Sequence, residues 1–361
     1  MQHKRSRIII AAAGSGKTTH LVTEALSKPS AKVAVVTYTN NNHRVIHSTF
    51  AHLNRVTPSR VDVCTWFSFL LHECARPYQR STYANQRIRT ILFPKGRSAR
   101  GTRYDDTSHY YFANGDEIYA DKISRFVIDC EKHSGGLVTA RLRALYDAVF
   151  IDELQDLAGY DLELLEVFMR SGIAMQLVGD PRQSTYATNQ AAKNRRYRRM
   201  GLLEKVREWE TAGLCEVDSQ PRSFRCNQTI CNFADRLWPG LPSTQSHNEV
   251  ITGHDGVFRV HTRHLPRYVK EFCPVVLRYD SRTNTHSYPA LNFGEAKGMT
   301  FDRVLVLPHG PIEKYLRTGN RDDVAGSVTK FYVAVTRARS SVAFLCDGEC
   351  SLDCVEWKPP S

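Results

Sequence analysis

The sequence lacks any apolar run near the roughly 18 residues that a bilayer-crossing helix needs. A membrane protein is therefore excluded, and no membrane partner is expected. No apolar h-region separates the basic start, MQHKRSRIII, from the polar AGSGKTT, so the N-terminus does not read as a secretory signal and a cytoplasmic chain is expected. Internal repeats and low-complexity tracts are missing too. So is any CxxC pair, and ten cysteines in an unsecreted chain read as reduced thiols rather than a disulfide framework. Cys346, Cys350 and Cys354, spaced by four, would share one face of a helix. Without a fourth ligand nearby, small buried side chains and an exposed tail thiol are favoured over a metal site. Negative charge is also in short supply. Asp plus Glu is 37 against 49 Lys plus Arg, a net charge of +12 that points to a polyanionic partner without separating DNA from RNA.

What is present is globular. Hydrophobic residues make up 42% of 361, and that length suggests two domains. Short β-branched or apolar runs at 7–12, 33–37, 148–151, 174–178, 275–278, 304–307 and 342–345 end in polar turns and alternate with helical stretches such as 18–27 and 161–170. This predicts an α/β fold of buried parallel strands. Residues 76–121, rich in Arg, Tyr, Ser and Gly with weak periodicity, read as part of an insert (about 76–146) with one helix near 121–133. A division near 210–217 gives domains at 1–214 and 215–361.

The first strong motif is AAAGSGKTT, residues 11–19, directly after an apolar strand and before a helix. That context suits a phosphate-binding loop. Small residues let the backbone wrap an oxyanion, and backbone N–H groups with the helix N-terminus face the phosphates. Gly14, Ser15, Gly16, Lys17, Thr18 and Thr19 are the candidate nucleotide contacts. Lys17 reaches the β/γ-phosphates and Thr18 ligates Mg2+. The strict pattern has Gly where this chain has Ala11. The second motif is VFIDELQD, residues 149–156, a strand ending in adjacent carboxylates. One of them, Asp152 or Glu153, can hold the metal while the other orients water. Together the two motifs make an NTPase the default reading.

Five further segments follow in order: TYTN (37–40), GDPRQSTY (179–186), SFR (223–225), KGMTFD (297–302) and YVAVTRAR (332–339). With AAAGSGKT and DELQD the set resembles the UvrD/Rep-like branch of the superfamily 1 helicases, from Ala11 to Arg339. The resemblance implies two RecA-like P-loop NTPase domains with ATP and Mg2+ bound between them. Asp152 would bind the metal and Glu153 would be the catalytic glutamate. Gln183 would sense the γ-phosphate, and Arg225 and Arg337 would be supplied by the second domain. Cations from another domain couple hydrolysis to domain motion. Tyr38 and Asn40 of TYTN, Trp66 of CTWFSF, and Tyr186 fall in strand-contacting motifs. Stacking on bases ignores sequence, as a translocase requires. For each of these aromatics the alternative is core packing. KNRRYRR, residues 193–199, adds five cations, with Arg195, Arg196 and Arg198 as candidate backbone contacts.

Several departures from that branch stand out. Only ten residues precede Ala11, too few for the adenine-reading glutamine motif. Thr300 stands where the branch has a ribose-contacting Glu, and Gly294 where it has His. The stretch from Arg225 to Lys297 is too short for the inserted domain of larger relatives. The resemblance implies a minimal 3'-5' translocase or helicase on single-stranded DNA or a 3'-tailed duplex. Alternatives are a DNA-sensing ATPase subunit beside a separate nuclease, of the kind encoded in phage-defence or mobile-element loci, and an RNA helicase. A scaffold without turnover fits poorly with the intact Lys17, Glu153, Gln183, Arg225 and Arg337.

Overall fold

The computed structural model describes residues 6–96, 98–185, 188 and 193–359. They form two units: Lys17–Ser219 with the N-terminal strand, and Gln220–Ser361 with the short segment Ala11–Gly16.

The first unit is organised by runs too apolar to leave in water. β1 (Ser6–Ala11), β2 (Val33–Thr37), β3 (Val61–Thr65), β6 (Ala148–Ile151), β7 (Met175–Gly179) and β8 (Cys215–Gln220) form a six-stranded sheet in the order β3-β2-β6-β7-β1-β8. Parallel pairing joins β3 to β2, β2 to β6, β6 to β7 and β7 to β1. Every residue of VAVVT in β2 and of AVFI in β6 is buried, as expected of strands covered on both faces. No strand was expected at residues 215–220, which were expected to open the second domain. They form β8, which extends the first sheet instead, and an Arg7–Asp218 ion pair ties it to β1. Its half-exposed sequence CEVDSQ is that of an edge strand, which periodicity does not assign to one sheet or the other.

The insert carries β4 (Thr90–Leu92) and β5 (Glu117–Tyr119), a parallel pair, followed by helices Ile123–His133 and Leu137–Leu145. Only the first of these helices was expected. Tyr83, Ile88, Tyr111, Phe112 and Ile118 join the core of the unit, so the insert is packed down rather than loose.

In the second unit, β9 (Arg222–Ser223) pairs with β10 (Gln245–Ser246). β11 (Gly256–Val260), β12 (Val275–Arg278), β13 (Ala290–Asn292), β14 (Phe301–Leu307), β15 (Ala338–Leu345) and β16 (Val355–Glu356) form a second parallel sheet, ordered β13-β12-β14-β15-β11-β16. Residues 346–354 form no helix, so the helical face imagined for three thiols does not exist. Among the described residues no group of three or more His, Cys, Asp or Glu is arranged to hold a metal, and no helix is long and apolar enough to cross a membrane.

Candidate functional site

The carboxyl edge of the first sheet delivers the motifs side by side. β1 leads into the glycine-rich loop, β6 into Asp152 and β7 into Asp180. Gly14 and Gly16 have φ of +75° and +78°, left-handed values that a side chain would strain, which is why glycine stands at both. Lys17 opens the helix Lys17–Leu26 and is largely buried, while Thr19 is exposed. Thr18 Oγ1 donates to Asp152 Oδ2 at 2.9 Å. Asp152 is 3% exposed. Burial, then the charge of Glu153, pushes its carboxyl up to about 6 against the opposing pull of Thr18 and Lys17. A cation at this spot would relieve that cost. Ser15 Oγ is buried without a hydrogen-bond partner among the described residues. An orphaned hydroxyl on a left-handed glycine loop, beside a hydroxyl–carboxylate pair, fits a nucleotide's phosphates and a hard cation.

Glu153 has φ +61°, an uncommon left-handed value for a side-chain-bearing residue. Such strain collects at functional positions. Its carboxylate accepts a hydrogen bond from Gln155 Nε2. Gln155 Oε1 in turn accepts the Asp180 N–H at 2.9 Å. A Cβ on Gly179 would meet that same Oε1 at 2.6 Å, so glycine is required for the approach. Gln183 Nε2 donates to Asp180 Oδ2 at 2.8 Å, and Arg182 Nε donates to Asp180 Oδ1 at 2.8 Å. Burial opposes ionisation of Asp180, but Arg182, Lys17 and Gln183 outweigh it and hold its carboxyl below the usual range. Gln155, Asp180 and Arg182 were given no role in the sequence reading. Their signal is only that they sit inside DELQD and GDPRQ.

At the other end of the same edge, β2 and β3 open onto a groove of about 840 Å³. Tyr38 and Asn40 line it, with Asn40 exposed at the start of helix Asn40–Asn54, which Thr39 caps by accepting the Asn42 N–H. Phe67 lies in the floor, its ring 5.9 Å from Tyr38 and 5.1 Å from Phe93. Trp66 does not join them. It is 1% exposed, and its Nε1 donates to the buried Asp161 Oδ1 at 3.1 Å. Its ring has no face left for a base, and the core reading of Trp66 is the right one.

KNRRYRR is also less available than its charge suggests. Lys193 pairs with Glu163, Arg196 with Glu208 and the Tyr197 hydroxyl, and Tyr197 is buried in the core. Arg195 and Arg199 are exposed, and Arg198 is half-buried. Tyr186 lies outside the described residues.

In the second unit Arg225 and Arg337 converge on one residue. Arg225 Nη1 donates to the Thr336 carbonyl at 3.1 Å, and Arg337 Nη2 to Thr336 Oγ1 at 3.3 Å. Arg337 also donates to the carbonyls of Val333 and Met299. The carboxyl edge of the second sheet holds no glycine-rich phosphate loop among its described residues. It borders a cavity of about 860 Å³ whose lining includes Arg282 and Arg317 but also Asp280, Glu313, Asp347 and Glu349. Tyr279 and His309 stack there at 4.0 Å.

Residues 1–189 match the model of an AAA domain, and residues 123–346 match that of the viral superfamily 1 RNA helicase core domain. No curated protein matches. Three solved structures are similar: an arterivirus nonstructural protein 10 (helicase), at 13% identity and TM-score 0.48; the PRRSV helicase, at 17% and 0.45; and the arterivirus protein with DNA, at 12% and 0.47. They cover 94%, 95% and 94% of this chain, which spans only 59%, 53% and 60% of theirs. Each of the two family models covers more than half of the sequence, and membership rests on them. On that extent of match, the chain belongs to the superfamily 1 helicases.

Proposed function

We propose that the chain is an NTP-driven translocase and helicase acting on single-stranded nucleic acid. The observation that carries this reading is the Thr18–Asp152 pair at the start of the phosphate-loop helix, with Glu153 next to it in a left-handed conformation. Lys17 and the loop N–H groups would hold the phosphates of ATP, and Thr18 and Asp152 would hold Mg2+. The bound metal supplies charge neutralisation on the phosphate oxygens. Glu153 takes a proton from the attacking water, with Gln155 fixing its carboxylate. Gln183, held by Asp180, would by motif resemblance read the γ-phosphate. By motif resemblance, Arg225 and Arg337 would supply cations to the transferring phosphoryl group.

The order of the motifs supports the UvrD/Rep-like branch, hence DNA as the strand and 3'-5' as the direction, with the sensing subunit of a separate nuclease complex as a variant of the same activity. The family description supports a second reading with RNA as the strand. Thr300 in place of the ribose-contacting Glu supports relaxed nucleotide choice, with GTP and dATP hydrolysed at rates comparable to ATP. The deciding measurement is hydrolysis alone, with oligo-dT, with oligo-U and with duplex. Stimulation by oligo-dT with little by oligo-U supports the DNA reading, and the reverse supports RNA. Hydrolysis that no strand accelerates overturns both.

A further inference from the structure

The insert contributes two side chains to the groove at β2 and β3 that no motif predicts. Phe93 follows β4 directly and is 62% exposed. A single exposed phenylalanine is ordinary. This one is held edge-on by Phe67, with interplanar angle 89°, across the groove floor from Tyr38. Its position is set by a strut. Arg76 donates through Nε to the Ile88 carbonyl at 2.9 Å and through Nη2 to the Arg89 carbonyl, which fixes the start of β4 against the π-helical turn Leu70–Ala75. Such turns are frequent at functional sites. Arg89 is also exposed and reaches Asp116 only at 3.6 Å.

The lining decides the occupant. Among the described lining residues there are two arginines and no carboxylate, with aromatic rings on both walls. An apolar peptide would gain nothing from the arginines, and a folded duplex hides its base faces. A single strand offers both phosphates and π-faces.

We propose that Phe93 and Arg89 complete a single-strand binding groove with Tyr38 and Phe67, Phe93 stacking on a base and Arg89 contacting the adjoining phosphate. This rests on the single-strand reading above. Because the groove wall is fixed before binding, little ordering cost falls on the protein side.

The test measures anisotropy of labelled dT20 and U20 with wild type, Phe93→Ala, Phe93→Trp and Arg89→Ala. Phe93→Ala should weaken the better-bound oligomer roughly tenfold, the scale of one lost base–aromatic stack. Phe93→Trp should bind within about twofold of wild type, because it keeps a π-face. Arg89→Ala should reduce the slope of log affinity against log salt by about one. Thermal melting of each variant, unchanged because both side chains are exposed, separates lost contact from lost fold. Wild-type affinity in Phe93→Ala overturns the proposal. Failure of wild type itself to bind either oligomer instead overturns the single-strand reading on which it stands.

Discussion

The two parallel sheets end in different chemistry. At its carboxyl edge the first presents a glycine-rich loop, an acid strand and a groove without carboxylates among its described lining residues. The second presents a cavity of similar size, about 860 Å³, lined by four carboxylates as well as two arginines. Ligands of parallel sheets gather at this edge because strand ends and helix N-termini converge there. What each edge can accept is then set by side-chain charge. On the proposed function a polyanionic strand binds in the groove of the first, whereas four carboxylates oppose one in the cavity of the second. Similar sheet architecture thus gives two edges of different side-chain charge, and on the proposed function only the first takes phosphates and a single strand.

The comparison breaks most sharply at the nucleotide end. Lys17→Ala, losing a cation on the phosphates, and Glu153→Gln, losing a general base, should each lower hydrolysis at least about 100-fold, and Glu153→Gln should still bind nucleotide. A malachite-green phosphate assay beside nucleotide binding by fluorescence reads both. Comparable hydrolysis in Glu153→Gln would remove that residue from catalysis.

Within the first edge, Trp66 and Tyr38 should separate cleanly. Trp66→Ala should cost about 3–5 kcal/mol of stability, as for other large-to-small core changes. Trp66→Phe should cost about 1–3 kcal/mol by leaving Asp161 short of a donor. Its strand affinity should be unchanged. Tyr38→Ala should weaken strand binding roughly tenfold with the salt slope unaltered. Denaturant melts and anisotropy decide between them, and a Trp66→Phe protein that is stable but cannot bind a strand contradicts the core assignment.

The second edge supplies the control. Arg282→Ala and Arg317→Ala should change oligonucleotide affinity less than about twofold, since phosphate contacts elsewhere carry the binding. A tenfold loss would show that the second cavity takes the strand despite its carboxylates.

The smallest effect concerns the basic run. Arg195→Ala and Arg199→Ala should each lower the salt slope by about one if they contact phosphate. Lys193→Ala and Arg196→Ala should lower it less, because Glu163 and Glu208 already offset those charges. Equal effects from all four would mean that the ion pairs open on binding.

The strand ends and the phosphate loop were legible because each depends on local pattern. Runs such as VAVVT have nowhere to go but the interior, and two left-handed positions in a row of small residues call for glycine. Trp66 and Phe67 show where local pattern stops. Both are aromatic and adjacent in CTWFSF, and nothing in that string says which faces the core. The turn from β3 into the helix Trp66–Phe69 places the indole against Asp161 and its neighbour in the groove floor. Phe93 was invisible for the same reason, since its meaning comes from Phe67, distant in sequence.

The sequence by itself determined the α/β class, the positions of the main strands and the left-handed glycine loop after the first of them, because burial of β-branched runs and backbone dihedrals are local constraints. Only the tertiary structure decided that β8 belongs to the first sheet, that Gln155 joins Glu153 to Asp180, that two cations of a basic run are paired with Glu163 and Glu208, and that an insert of weak pattern walls a groove. Those outcomes depend on which distant side chains meet, and distance along the chain carries no record of that.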